Sequence, residues 1–261
     1  MTNEDARSTR PLRSVAVLGA SNISLGMPQL AQALDRAGCA RCTFACGHGR
    51  SFGLRSSIPL RVLGALREVP LLDELDALDA ALLADVGNDL VYGVAPMRIL
   101  EWVEECIERL SARGARVVVA GPPLESLARL TPARYAVAKG VLFPFHALTR
   151  DDALRGIAEL HAGLAASCAR RGLAYVAPPA RWYGLDPIHV RRACRQEWAR
   201  GLVAAMQGMD SPPPPSRAPR WSFGDWSRLR LLRPEREVVC GIERRGAGRA
   251  KLSTGLEVRC Q

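Results

Sequence analysis

The chain alternates between short, almost wholly apolar runs and longer segments in which apolar residues recur every three or four positions. The short runs are rich in Val, Ala and Leu and are typical of parallel strands that are covered on both faces. The longer segments are typical of amphipathic helices. The pattern predicts five strands, at 14–19, 42–47, 80–87, 115–121 and 173–177, and four main helices, at 24–37, 96–113, 149–171 and 190–207.

Strands and helices alternate along the chain, and this alternation predicts βαβ units that assemble a doubly wound parallel sheet. We therefore expect an α/β fold with a five-stranded parallel sheet. We expect a flexible N-terminus over 1–12, a main domain over 13–210, a proline-rich linker over 211–220 and a basic C-terminal extension over 221–261. The extension contains two short apolar stretches that can form a small β-hairpin.

Composition favours a soluble globular protein, because 48% of the residues are hydrophobic and 24% are charged. No apolar run approaches the roughly 20 residues that a membrane span needs, so no span is expected. The charged N-terminus lacks a signal-peptide core, which favours a cytoplasmic location. The net charge of +10 is concentrated in residues 217–261, which hold eleven Arg or Lys against five Asp or Glu.

One cysteine-rich stretch has the residue types of a metal site. Cys39, Cys42, Cys46 and His48 lie close together in the sequence, but zinc sites normally use a second ligand pair beyond a longer loop, and none follows. Most of the stretch has the apolar pattern that is typical of a buried strand, so core packing is favoured over metal binding. We expect no metal.

Polar side chains follow the predicted ends of four strands. Ser21 follows the first, the glycine-rich GHGRSFG (47–53) follows the second, Asn88 follows the third, and Asp186 and His189 follow the last. Ligands of open α/β sheets bind beyond the carboxyl ends of the strands, near the point where the strand order reverses. We therefore expect these groups to share one site.

These residue types suit acyl transfer through a serine. The Ser21 hydroxyl needs an adjacent base, and His189 is the candidate because histidine exchanges a proton near neutral pH. Asp186, three residues earlier, can accept the other ring N–H and fix the tautomer. The oxyanion of a tetrahedral intermediate needs donors, and the candidates are the backbone N–H groups of Ser21 and Gly49 and the side-chain amide of Asn88.

Four blocks together resemble the SGNH (GDSL-type) hydrolase superfamily in order and spacing, over residues 13–208. They are GASN around Ser21, GHGRSFG around Gly49, GNDLVYG around Asn88 and DPIH ending at His189. The resemblance implies a flavodoxin-like three-layer α/β/α sandwich and an ester hydrolase that acts without a cofactor. It also implies the same catalytic and oxyanion roles for the residues named above.

Two positions depart from the pattern of that superfamily. The Asp that usually precedes the serine is Ala20 here. The Asn that often precedes the glycine of the second block is also missing, which leaves Gly47 and Gly53 as alternatives to Gly49.

The leading hypothesis is a serine esterase that acts on a small-molecule ester, namely a lipid, a thioester or an O-acetylated carbohydrate. Asn22, His48 and Tyr92 are further candidates for the substrate pocket, and the apolar segment 126–147 is long enough to wall an acyl site. The alternative is a non-catalytic binding protein on the same scaffold that works through the basic C-terminal extension. Deletion of residues 211–261 is expected to separate the two. The extension has no recognised nucleic-acid motif, so nucleic acid is not an expected partner.

Overall fold

The structure is a computed structural model that describes residues 11–57, 61–72, 77–142, 148–212, 221–240 and 242–261. Most of the predicted flexible N-terminus and proline-rich linker lies outside the described residues. The helices are α1 (Ser21–Arg36), α2 (Asn88–Val91), α3 (Pro96–Ala112), α4 (Leu124–Ala128), α5 (Pro132–Leu142), α6 (Arg150–Arg171), α7 (Arg195–Met206) and α8 (Phe223–Leu231). The strands are β1 (Ser14–Leu18), β2 (Arg41–Ala45), β3 (Ser56–Ser57), β4 (Arg61–Leu63), β5 (Ala80–Leu83), β6 (Arg116–Ala120), β7 (Ala174–Val176), β8 (Arg236–Val239), β9 (Ile242–Arg245), β10 (Arg249–Lys251) and β11 (Glu257–Cys260). Short 3-10 helices span Leu66–Glu68, Pro70–Leu72, Ala180–Trp182 and Arg192–Cys194.

The predicted doubly wound parallel sheet is present. Its five expected strands lie in the order β2-β1-β5-β6-β7, and each neighbouring pair is parallel. Helices α1 and α7 pack together on one face, and α3 and α6 pack together on the other. The fold is therefore a three-layer α/β/α sandwich, as the sequence predicts. The strand order reverses between β1 and β5.

The expected number of strands is wrong, because the sheet has seven strands rather than five. β11 pairs in parallel with β2, and β10 pairs antiparallel with β11. An edge strand with unpaired N–H and C=O groups is a site for further pairing, and β11 occupies that edge of β2. Val258 and Cys260 of β11 are buried in the core next to β2.

The central strand β1 contributes to both halves of the core because successive side chains of a strand point to opposite faces. Val15 and Val17 pack with α1 and α7, whereas Ala16 and Leu18 pack with α3 and α6. The near-continuous apolar runs in the sequence thus correspond to strands that are covered on both faces.

A second, four-stranded antiparallel sheet lies outside the sandwich in the order β3-β4-β8-β9. It joins the chain before β5 to the C-terminal extension. Within the extension, β8 pairs with β9 and β10 pairs with β11, so the two stretches expected to form one hairpin belong to different sheets.

The long helices are amphipathic. α6 has 22 residues and buries one face through Ile157, Leu160 and Leu164. Within the ranges that the structure describes, no helix is both long enough and apolar enough to cross a membrane.

The buried carboxylate of Asp225 anchors α8 to the loop before β11. It accepts hydrogen bonds from the N–H and hydroxyl of Ser222, at 2.9 and 2.8 Å, and from those of Ser253, at 3.0 and 2.6 Å. Burial by itself raises the pKa of Asp225, but the hydrogen bonds from Ser253 and then Ser222 outweigh it and hold the pKa well below its usual range. An ionised carboxylate therefore fastens the C-terminal extension together.

We predict that Asp225→Ala lowers the free energy of unfolding at pH 7 by about 2 kcal/mol, because hydrogen bonds to a charged acceptor are lost. The pKa of Asp225 is depressed in the folded state. Its contribution is therefore present above the unfolded-state pKa of about 4 and is lost as the pH falls through the lower folded value. Urea denaturation of both proteins at pH 7 and pH 3 checks this, since the difference should shrink at pH 3.

The matched control is Glu101→Ala, which removes an exposed ion pair with Arg98. An exposed pair contributes at most about 1 kcal/mol. If Asp225→Ala destabilises the protein no more than Glu101→Ala does, the anchoring role is contradicted.

Candidate active site

The segments that carry the predicted site residues all leave the same edge of the sheet. Ser21 begins α1 three residues after the end of β1, and the segments 46–54, 84–91 and 177–190 follow β2, β5 and β7. The crevice of such a sheet opens where the strand order reverses, which here is between β1 and β5. Ser21 and Asn88 therefore flank the crevice from its two sides.

The structure brings Ser21, His189 and Asp186 into one hydrogen-bonded chain. The ring nitrogen Nε2 of His189 lies 2.9 Å from the Ser21 Oγ, and Nδ1 lies 2.6 Å from Oδ2 of Asp186. When Nδ1 carries the ring proton it donates to the carboxylate, and Nε2 is then free to accept the proton of the serine hydroxyl. The arrangement has the geometry of a nucleophile, its base and the group that orients the base.

Asp186 is held in place by its own loop. Its Oδ1 accepts hydrogen bonds from the backbone N–H groups of Ile188, at 3.1 Å, and His189, at 3.0 Å. Burial raises the pKa of Asp186, but the hydrogen bond from the His189 ring and the backbone N–H donors outweigh it, so the net shift is downward. Asp186 is therefore a carboxylate at neutral pH and accepts a hydrogen bond from the N–H of the His189 ring.

A second carboxylate, that of Asp85, lies at the start of α1. Its Oδ2 accepts the backbone N–H groups of Ala20, at 2.7 Å, and Ile23, at 3.2 Å. The first N–H groups of a helix have no partner within the helix, and its N-terminus favours negative charge. The chain thus has a carboxylate beside Ser21 although residue 20 is alanine.

Asp85 is absent from the predicted site residues because its segment is expected to continue as a strand to residue 87. The strand instead ends at Leu83, and Asp85 has a φ of 59°, in the left-handed region that few residues other than glycine adopt. The signal that could identify it is an aspartate in an otherwise apolar run, since a buried charge needs partners.

Asn22 connects Asp85 to the segment that carries His189. Its amide nitrogen donates to Oδ1 of Asp85, at 2.8 Å, and to the carbonyl of Ile188, at 2.9 Å. Its Oδ1 accepts the N–H of Val190, at 2.8 Å. Asn22, predicted as a pocket residue, lines the cavity beside Ser21 and also holds the histidine loop against α1.

The three predicted oxyanion donors come from three different segments. Ser21 is the first residue of α1, Asn88 is the first residue of α2, and Gly49 lies in the loop after β2. Among the described residues, no acceptor is hydrogen-bonded to the backbone N–H of Ser21 or Gly49 or to the Asn88 amide. These donors are therefore available to a ligand.

The loop after β2 is tied to α2 by the buried side chain of Asp89. One oxygen of Asp89 accepts the Ser51 hydroxyl, and the other accepts the N–H of Phe52 at 3.1 Å. Burial raises the pKa of Asp89, and these hydrogen bonds offset only part of that rise. Because Asp89 follows Asn88 directly, the contact sets the position of Gly49 relative to Asn88.

Gly49 differs from the two alternative glycines. It has a φ of 67°, and its carbonyl accepts the Tyr92 hydroxyl at 2.8 Å. A Cβ on Gly53 would lie 2.1 Å from the Trp102 ring, and one on Gly47 would lie 3.1 Å from Leu63. Close packing against the Trp102 ring explains why residue 53 is a glycine. The left-handed backbone and the hydrogen bond from the Tyr92 hydroxyl distinguish Gly49 from the other two glycines.

No family model and no curated protein sequence matches this chain. Solved structures do. TesA is 19% identical, with a TM-score of 0.50, over 75% of this chain and 98% of that one. The inhibitor-bound aryl esterase of M. smegmatis is 15% identical, with a TM-score of 0.50, over 75% and 98% of the two chains. A GDSL-like lipase from Bacteroides thetaiotaomicron is 12% identical, with a TM-score of 0.48, over 75% and 88%.

The chain has the SGNH (GDSL-type) hydrolase fold. The conclusion rests on the two structures with a TM-score of 0.50, and at these identities the likeness concerns the fold alone. A quarter of this chain lies outside the region that each of them matches.

A cavity of about 120 Å³ opens beside Ser21 in this SGNH fold. Apolar side chains from the segment between β6 and α6 form one wall, including Leu127 and Leu130. Helix α5 covers it with Tyr135, Ala138, Lys139 and Leu142, which recur at helical spacing on one face.

The opposite face of α5 is exposed to solvent. Val137 and Val141 have 68% and 76% of their surface accessible. The described part of the predicted acyl-wall segment 126–147 therefore has one face towards the cavity and one face towards solvent.

His48 and Tyr92 lie away from this cavity. The Tyr92 hydroxyl supports the Gly49 loop, and burial followed by the charge of Asp89 raises the pKa of Tyr92 to about 12. His48 is exposed and borders a second cavity.

The cysteine-rich stretch divides between core and surface. Cys39, Cys42 and Cys46 are buried among apolar side chains, whereas His48 is exposed. In the part of the chain that the structure describes, no three His, Cys, Asp or Glu side chains cluster in a way that could hold a metal ion.

We predict that Asp85→Ala lowers the free energy of unfolding by about 3 kcal/mol, because buried N–H donors at the start of α1 lose a charged acceptor. Asp85→Asn should cost less, since asparagine keeps one acceptor oxygen and tolerates a positive φ. Urea denaturation should therefore rank the proteins as wild type, then Asn, then Ala. An Ala variant as stable as the wild type would show that the carboxylate does not hold the start of α1.

Proposed function

We propose that this protein is a serine esterase that hydrolyses carboxylic esters through an acyl intermediate on Ser21. The observation that carries the proposal is the hydrogen-bonded chain from Ser21 Oγ through the His189 ring to Asp186, with distances of 2.9 and 2.6 Å. The SGNH fold is consistent with it, and the named structures of that fold include an aryl esterase and a GDSL-like lipase.

In the first half of the reaction, His189 Nε2 takes the hydroxyl proton as the Ser21 Oγ attacks the ester carbonyl carbon. The carbonyl oxygen becomes an oxyanion, which accepts hydrogen bonds from Ser21 N–H, Gly49 N–H and the Asn88 amide. When the carbon–oxygen bond to the alcohol breaks, the alcohol oxygen takes the proton from His189 and leaves. The acyl group stays on Ser21.

In the second half, a water molecule replaces the alcohol. His189 takes a proton from the water as its oxygen attacks the acyl carbon, and the Ser21 Oγ then recovers that proton when its bond to the acyl group breaks. Asp186 stays ionised throughout and stabilises the protonated ring. Every bond change is an acyl or proton transfer between groups of this chain, the ester and water.

The apolar cavity beside Ser21 supports an acyl group of small or medium length as the substrate's acid part. Its walls come from α5 and from the residues around Leu127 and Leu130, and apolar walls favour the burial of methylene groups. We further propose a cytoplasmic location, because all eight cysteines are free thiols, the state expected in a reducing compartment.

The alternative of a binding protein that works through its C-terminal extension has less support. β10 and β11 extend the main sheet, and Trp221, Leu229 and Val258 are buried in the core shared with α1 and α7. Deletion of 211–261 would remove this part of the core, so loss of activity in that variant would report on folding. Substitutions of single residues leave this part of the core in place and are therefore a better test of the alternative than the deletion.

We predict that Ser21→Ala lowers kcat for p-nitrophenyl butyrate by at least about a thousandfold, the scale on which a serine nucleophile contributes. The assay is release of p-nitrophenol across esters from acetate to decanoate. Ser111→Ala, which changes an exposed serine on α3, should keep wild-type turnover. Equal turnover by the wild type and Ser21→Ala would contradict the proposal.

We predict that Ala138→Trp shortens the preferred acyl chain, because a large ring on the cavity face of α5 fills space that a long acyl group needs. The kcat/KM for decanoate should fall roughly tenfold or more relative to that for acetate. Val137→Trp adds the same ring to the exposed face of α5 and is the control. The same chain-length profile in both variants would contradict a role for α5 in the acyl site.

A further inference from the structure

A second cavity, of about 700 Å³, is lined by residues that lie close in the sequence to the proposed catalytic groups. Its walls come from α1, from the loop after β2, from the residues that lead into α7, and from α8 with the residues that follow it. The C-terminal extension therefore builds one side of this cavity, and the main sandwich builds the other.

Four arginines line the cavity: Arg192, Arg195, Arg230 and Arg233. No Asp or Glu is among the described residues of its lining. None of the four arginines forms an ion pair with a described residue; Arg195 donates only to backbone carbonyls, those of Val190 and Leu25. Positive charge thus converges on one concave surface, with no counterion from the part of the chain that the structure describes.

The arginines are close enough to influence one another. Burial, followed by the charges of Arg192 and Arg230, lowers the pKa of Arg195. Like charges held together destabilise the folded protein, and an anion between them would relieve the repulsion. An anion bound between these arginines would therefore be stabilised by their charges.

The chemistry of the cavity selects the class of ligand. Guanidinium groups bind phosphate and carboxylate oxygens through paired N–H donors. Four of them in one cavity match several negative charges, which a phosphorylated compound carries and a single carboxylate does not. The volume lies in the range of small-molecule sites, and Trp226 and Leu229 add apolar surface to the wall.

Three parts of the cavity lining lie close in the sequence to the proposed catalytic groups. Arg192 lies three residues after His189, Ser24 lies one helical turn after Ser21, and His48 directly precedes Gly49. One turn of helix is about 5 Å long. A ligand in this cavity therefore lies beside the loop after β2, which carries Gly49, and beside the residues that follow His189.

We propose that this cavity binds a small, multiply charged anion of the phosphate class. The anion is either a part of the ester substrate, on its alcohol or thiol side, or a separate effector. The binding site itself does not depend on the proposed esterase activity, whereas the substrate assignment does.

The first experiment is titration of the full chain with inorganic pyrophosphate by isothermal titration calorimetry. The wild type should bind, and binding should weaken as the ionic strength rises, because salt screens exposed charges. Arg230→Gln/Arg233→Gln should lower the affinity at least tenfold. Arg192→Gln, on the other wall, should also weaken binding, so the test does not depend on the folding of α8 alone.

The matched control is Arg244→Gln/Arg245→Gln, which removes two charges from the exposed strand β9. It should bind pyrophosphate as the wild type does. Absence of binding by the wild type, or equal affinity in the pocket and control variants, would overturn the proposal. The thermal unfolding temperature of each variant reports whether it is folded.

A second experiment distinguishes an anion that is part of the substrate from an anion that is a separate effector. Butyryl-coenzyme A carries phosphates on its thiol part, and S-butyryl-N-acetylcysteamine is a neutral thioester with the same acyl group. If the anion belongs to the substrate, Arg230→Gln/Arg233→Gln lowers kcat/KM for the first compound at least tenfold and leaves the second unchanged. If the anion is an effector, pyrophosphate changes the turnover of the neutral thioester by the wild type and has less effect on the pocket variant.

Discussion

The carboxylate of Asp85 joins the segments on which the rest of the candidate site depends. It accepts the N–H groups of Ala20 and Ile23 and the amide of Asn22, and Asn22 in turn holds the backbone around His189. One half-buried acceptor at the switch point of the sheet thus determines where Ser21 begins its helix and how the segment that carries His189 meets it. A helix N-terminus stabilises such a charge, which offsets the partial burial of the carboxylate and the left-handed backbone at that position.

The C-terminal extension completes the sheet and shapes the surroundings of the site. β11 pairs with the edge of β2, and the loop after β2 carries Gly49. Asp225 fastens α8 to the residues before β11, and the indole of Trp221 donates to Asp35 of α1 at 2.7 Å. The extension is therefore continuous with the sandwich, and it places Arg230 and Arg233 opposite the arginines near α7.

Much of the fold could be predicted from sequence because apolar runs covered on both faces leave a clear pattern, as in VAVL of β1 and RVVVA of β6. Ser21, Asn88 and His189 could be found because each lies in a block just beyond a strand end. The position of Asp85 could not be predicted, since its role depends on a backbone turn that the apolar pattern conceals. The place of β11 was also beyond reach, because the alternation in EVRC indicates a strand but does not name its partner. The arginine-lined cavity brings Arg192 and Arg195 together with Arg230 and Arg233, which lie at least 35 positions later in the chain, and no local pattern links them.

Covalent labelling tests whether Ser21 is an activated nucleophile. The folded protein would be incubated with diethyl p-nitrophenyl phosphate, which phosphorylates serines activated by an adjacent base, and then digested and analysed by mass spectrometry. We expect one diethylphosphoryl group, on the peptide that contains Ser21, and no labelling after denaturation. A folded protein that remains unlabelled, or that carries the group on another residue, would contradict it.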